Sequence, residues 1–161
     1  MRILETLFYV VLLSLALLIV SETVLSVSRG AERLRASARL HADASLALSR
    51  VVREIRGSAS VSDATSIFNT NPGALALSGT DASGASRTVR FSLSNGALQV
   101  SENGIPSGAL TASGTAVSLL VFRKVATPHS VGVKIEMTLH TGVASASTTQ
   151  SFYDTAVLRG S

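Results

Sequence analysis

"MRILETLFYVVLLSLALLIV", residues 1–20, decides how the rest of this 161-residue chain is read. From Thr6 to Val20 no residue is charged, and beyond Ser21-Glu22-Thr23 the apolar character resumes at Val24, Leu25 and Val27. Counted through Val27, the segment is long enough to cross or nearly cross a hydrocarbon core about 30 Å thick. Its uninterrupted part, Thr6–Ser21, rises only about 24 Å at about 1.5 Å per residue, so Glu22 belongs at an interface or beside a partner. A secretory signal peptide fits less well. Arg2 alone would form its basic start, no small-x-small site closes the run, and Glu5 is out of place.

The helix does not end where the apolar run ends. "SRGAERLRASARLHADASLALSRVVREIRGS", residues 28–58, contains no proline, one internal glycine at Gly30, and many strong helix formers. Leu40, Ala44, Leu48, Val51, Val52 and Ile55 recur at i, i+4, i+8, i+11, i+12 and i+15, which places them on one face. Gly57 supplies the stop. The pattern predicts one helix from about residue 3 to about residue 57, roughly 80 Å long at 1.5 Å per residue. Its weakest point is Gly30, since a glycine costs about 1 kcal/mol inside a helix.

After Gly57 the apolar period changes from 3.6 to 2. In "TVRFSLSNGALQV" (88–100), Val89, Phe91 and Leu93 share a face, Asn95-Gly96 breaks the run, and Leu98 and Val100 resume it. Asn-Gly between alternating runs is a strong hairpin signal. "VSLLVFRKV" (117–125) and "VGVKIEMTL" (131–139) form a second pair around Thr127-Pro128-His129-Ser130, and "QSFYDTAVL" (150–158) reads as a last strand. Val133, Ile135 and Met137 alternate with Lys134, Glu136 and Thr138, as expected of an antiparallel sheet with one wet face. The stretch between helix and sheet is a Ser/Ala/Gly-rich loop with one short strand at Ala74–Ser78. The predicted class is α+β: a long helix, half membrane-spanning and half amphipathic, packed on a small antiparallel sheet. The divisions are 1–27, 28–57 and 58–161, the last packing on the second. Leu48, Val51, Val52 and Ile55 are the expected helix–sheet contacts, against the face carrying Val133, Ile135 and Met137.

Composition excludes several functions. Aromatic residues are only 4% and Trp is absent, so the core is small and aliphatic. The lack of cysteine excludes disulfides and thiolate metal sites. A net charge of +4 invites a nucleic-acid reading, but eight of the fourteen Lys and Arg residues lie in 1–57 and no aromatics interleave them for stacking. A solvated or inter-subunit helix face accounts for them, and no specific nucleic-acid partner is argued. No phosphate-binding loop, nucleophile elbow or zinc-binding helix motif occurs. His41, His129 and His140 are scattered, and nothing constrains His129, Asp154 and a serine to meet. Asp81 in "GTDASGAS" is one carboxylate, too few oxygens for a calcium loop, and reads as a turn residue. No catalytic, cofactor or metal residue is assigned, and the chain reads as a non-enzyme.

A long apolar helix that begins Met1, Leu4, Glu5, runs into an amphipathic helix and packs on a small sheet resembles the type IV pilin and type II secretion pseudopilin family. "LALSRVVREIRGSASV" (46–61) is similar to the helix end of minor pseudopilins of the J type. The resemblance covers roughly residues 1–60 by sequence and the sheet by architecture. It implies a structural subunit stored in the membrane and assembled through its N-terminal helix, with a methylated N-terminus and the head outside the cytoplasm, extracellular in a filament. Implied partners are other pilin or pseudopilin subunits, the lipid bilayer, and prepilin peptidase where a basic leader precedes Met1. Arg2 stands where the family carries a small hydroxyl residue. Glu22 stands where major pilins often carry a proline, which argues for a minor component.

Within that resemblance Glu5 has a role. A buried ionised carboxylate is strongly disfavoured unless paired, and the family pairs it with the amine of a neighbouring subunit's residue 1, here Met1. The plainer alternative leaves Glu5 in the headgroup region beside Arg2. The cluster Arg29, Arg33, Arg35 and Arg39 follows the membrane segment, which the positive-inside rule alone would place in the cytoplasm. A second reading, a single-pass anchored binding domain that stays monomeric, shares every one of these residues.

Overall fold

In the computed structural model, which describes residues 2–141 and 147–158, the chain begins with one unbroken helix, α1 (Arg2–Gly57). It passes through Gly30 without interruption, and a side chain beginning at that position would meet nothing within 4 Å of its Cβ. No neighbour therefore demands a glycine there. The first half, Ile3–Arg29, is exposed along its whole length, whereas Leu40, Ala44, Ala47, Val51 and Ile55 are fully buried. Termination at Gly57 is local: Ser58 N–H donates to Ile55 O at 3.2 Å, and Ser58 Oγ donates to Glu54 O at 2.6 Å.

Among the described residues eight strands follow: β1 (Ser60–Val61), β2 (Ala74–Thr80), β3 (Ser86–Ser94), β4 (Ala97–Glu102), β5 (Ile105–Ala109), β6 (Thr115–Thr127), β7 (Ser130–Thr141) and β8 (Thr148–Val157). All pairings are antiparallel. The single small sheet expected from sequence is instead two, ordered β1-β2-β3-β4-β5 and β6-β7-β8. They adjoin along β6, where Val117 N–H donates to Gly96 O at 2.7 Å, Gly73 N–H to Leu120 O at 2.8 Å and Asn69 N–H to Phe122 O at 2.9 Å. Asn71 Oδ1 accepts the Leu120 amide at 2.9 Å. Residues 69–73, read from sequence as loop, thus cover the β6 edge. They show no period-2 signal because side chain and irregular backbone, not a ladder, make these bonds.

Asn95-Gly96 closes the β3–β4 hairpin as expected, with φ of 51° and 72° at the two turn residues. Those positive values define the primed turn that Asn-Gly favours. The β6–β7 hairpin closes at Thr127 and Ser130, again as read. One core joins helix and both sheets: Leu48, Val51, Val52 and Ile55 lie with Leu77, Phe91, Leu98, Phe122, Val133, Ile135, Met137 and Leu139. The helix packs most heavily on β8 and β7.

Candidate membrane and assembly interface

The exposed half of α1 is long and apolar enough to cross a membrane, and none of that apolar stretch is buried in the fold. Three of its hydroxyls are adapted to such surroundings. Thr6 Oγ1 donates to Ile3 O at 2.9 Å, Ser14 Oγ to Val10 O at 2.8 Å and Thr23 Oγ1 to Ile19 O at 2.8 Å. Each of these three hydroxyls is satisfied by its own helix, which removes the cost of an unpaired donor in hydrocarbon. Glu5 sits exposed in the first helical turn, where a carboxylate is favoured by the helix dipole. Met1, its expected partner from a neighbouring subunit, lies outside the described residues. Glu22, Ser26, Arg29 and Arg33 fall along one side of the helix past the long apolar run.

Beyond this stretch the helix becomes a docking element. Leu48 and Val52 are 8% and 9% exposed and Val51 and Ile55 fully buried, so all four expected packing residues are in the core with Val133, Ile135 and Met137. Helix and β8 run side by side with matched spacing. Ser37 accepts from Gln150 Nε2 at 3.3 Å, and the His41 ring meets Phe152 edge-on at 5.3 Å between centroids. Further along, Ser45 and Ser49 line a groove with Asp154. Four residues of helix rise about 6 Å and two of strand about 6.6 Å, so contacts repeat without slippage over several turns.

On the other flank an ionic quartet ties α1 to the larger sheet. Arg87 Nη1 donates to Glu54 Oε2 at 2.9 Å and Arg87 Nη2 to Glu102 Oε1 at 2.8 Å. Arg50 Nη2 reaches Glu54 Oε1 at 2.9 Å and Glu102 Oε1 at 3.1 Å. The bonds to Glu102, and next to Glu54, hold the Arg87 proton more tightly than usual. Sequence reasoning did not find this quartet. Arg50 and Glu54 are legible as an i,i+4 pair, but Arg87 and Glu102 meet them only through the β3–β4 register. Asp43 likewise accepts a hydrogen bond from Thr115 Oγ1 at the start of β6.

The residues considered for chemistry do not converge. His129 lies in the β6–β7 turn, while Asp154 pairs with Ile135 six residues further along β7. Asp154 is instead occupied locally, its Oδ1 accepting the Thr155 amide at 2.7 Å. Asp81 is the turn residue expected: Oδ1 accepts from Ser83 N at 2.8 Å, Ser83 Oγ at 2.6 Å and Ala85 N at 2.9 Å. Those donors, the Ser83 hydroxyl first, hold its carboxyl below the usual range. Among the described residues no group of three or more His, Asp or Glu side chains is placed to hold a metal ion. No family model matches the chain, and neither a curated protein nor a solved structure matches it.

Proposed function

We propose that this chain is a structural subunit, a minor pilin or pseudopilin, of a type IV pilus, type II secretion or related filament. One observation carries the reading: a single helix buries its C-terminal half in the head and leaves a membrane-length apolar half with no partner among the described residues. Such a surface stays dry in only two settings, a bilayer or a bundle of like helices. A subunit stored in the first and moved into the second uses both. In this reading the work is association, with the head outside the cytoplasm and no catalysis.

Glu5 separates a subunit from a monomeric anchored domain. Removing its charge makes the segment more apolar, so Glu5→Ala should insert and fold as wild type does. In a helix bundle the lost carboxylate leaves a neighbour's terminal amine unpaired, and incorporation should drop at least tenfold. The measurement is the sheared-filament fraction against the membrane fraction after co-expression with candidate assembly machinery. Equal recovery of both variants in filaments would remove the role assigned to Glu5. A wild type that stays in the membrane while other subunits assemble would identify the anchored domain.

A further inference from the structure

Between the apolar half of α1 and Leu40, its first fully buried residue, stands a short, largely exposed length of helix that touches the head through Ser37. Arg29, Arg33, Arg35 and Arg39 are all exposed there, and Glu32 is the one acid among them. Among the described residues none of the four forms an ion pair, whereas Arg50, Arg87, Arg123, Lys124 and Lys134 all do. At about 100° per residue the four fan across about 160° of the helix circumference, forming one broad basic face.

We infer that this face binds anionic lipid headgroups, so that the chain selects acidic lipids at the boundary where its helix leaves the bilayer. The inference rests on the membrane placement of residues 3–27. Position comes first: Arg29 lies two residues past Val27, about 3 Å along the axis, and Arg33 about 9 Å. A headgroup layer of roughly 5–8 Å on each side of the hydrocarbon takes in the first and, given the reach of the side chain, the second. Direction comes next. Side chains on an α-helix lean toward its N-terminus, and in this chain the N-terminus is the membrane end. At each of the four positions the Cα–Cβ bond is therefore inclined toward the bilayer end of the helix. Chemistry completes the case, because guanidinium offers paired N–H donors that match a phosphate, and the face carries a net charge of about +3. Arg35 and Arg39 stand higher and act through the diffuse surface field within a Debye length of about 8–10 Å.

The test uses the full chain reconstituted in bilayers of equal parts phosphatidylcholine and phosphatidylglycerol, with trace spin-labelled lipid of either kind. Phosphatidylglycerol should be enriched over phosphatidylcholine in the motionally restricted shell by about fivefold at low salt, and less as salt is raised. R29Q/R33Q should bring the ratio below about twofold, and R35Q/R39Q should lower it less. R53Q/R56Q, exposed charges at the far end of the same helix, should leave it unchanged. Equal shells for the two lipids in wild type, or a preference that survives R29Q/R33Q/R35Q/R39Q, would overturn the inference. Flotation of the same vesicles keeps the two readings apart. A chain that floats without lipid preference refutes the headgroup site alone, and a chain that does not float refutes the membrane placement and the site with it. Equal shells with arginine-dependent oligomers in the same bilayers would assign the basic face to a neighbouring subunit instead.

Discussion

At the scale of single residues the informative group is Glu54, a carboxylate whose side chain is only 9% exposed and which ion-pairs with both Arg50 and Arg87. Its value lies in completeness, because a nearly buried carboxylate stripped of one partner keeps its desolvation cost. Arg87→Ala should destabilise the head by about 2 kcal/mol, read from chemical denaturation, while the exposed neighbour Arg90→Ala should stay within about 0.5 kcal/mol. Arg87→Lys should recover only part of the loss, since an ammonium cannot span two carboxylates as a guanidinium does. Equal effects at 87 and 90 would mean that the quartet contributes nothing. Asp81 and Glu136 make a separate prediction. Bonds from Ser83 hold the first below the usual carboxylate range, and Arg123 and then Lys134 do the same for the second. A folded value below the unfolded one gives stabilisation that is present above the ordinary carboxylate pKa, about 4, and is lost as pH falls through the folded value. Side-chain carbon NMR should therefore show both titrating below the ordinary carboxylate pKa of about 4, and Ser83→Ala should raise Asp81 alone.

Among the elements, α1 and its contact with β7 and β8 carry most of the structure. Ile55 is fully buried and faces the core, so Ile55→Asp introduces an unpaired carboxylate and should cost more than about 3 kcal/mol, enough to unfold the head. Arg53→Asp, two residues away and exposed, should leave the melting temperature nearly unchanged. The helix, the β3–β4 hairpin and β6 to β8 were legible because each carries a sustained apolar period, of 3.6 or of 2. The short strand read at Ala74–Ser78 is β2, and the remaining elements lack such a period. Asn103-Gly104 has the same positive-φ turn as Asn95-Gly96, but it leads into Ile105–Ala109, where every residue is exposed and no alternation exists to be read. β1 is two residues long, and 69–73 are set by Asn71 and by the approach of Gly73 to β6, where an added Cβ would meet Leu120 O at 3.0 Å. The quartet was hidden for a related reason: a charge carries no period, and its partners are fixed only when the strands are in register. β8 exposes a long edge, and Asp154 guards part of it by taking the Thr155 amide that a foreign strand would need.

For the molecule as a whole, the break in burial near residue 40 divides the chain into a part that needs apolar surroundings and a part that supplies its own core. A chain beginning at Ser28 should be soluble without detergent and melt within a few degrees of the full-length protein, measured by circular dichroism. A large loss of stability would show that residues 2–27 support the head as well as anchor it. The unbroken passage of α1 through Gly30 has a mechanical consequence. From Val27 to Gly57 the helix is a lever arm of about 45 Å, so leaning its foot by about 10° swings the upper end sideways by about 8 Å. Turning the foot about its axis turns the sheets by the same angle, because no joint along the arm takes up the motion. A pull on the head is likewise delivered, undiminished, to whatever grips the apolar end.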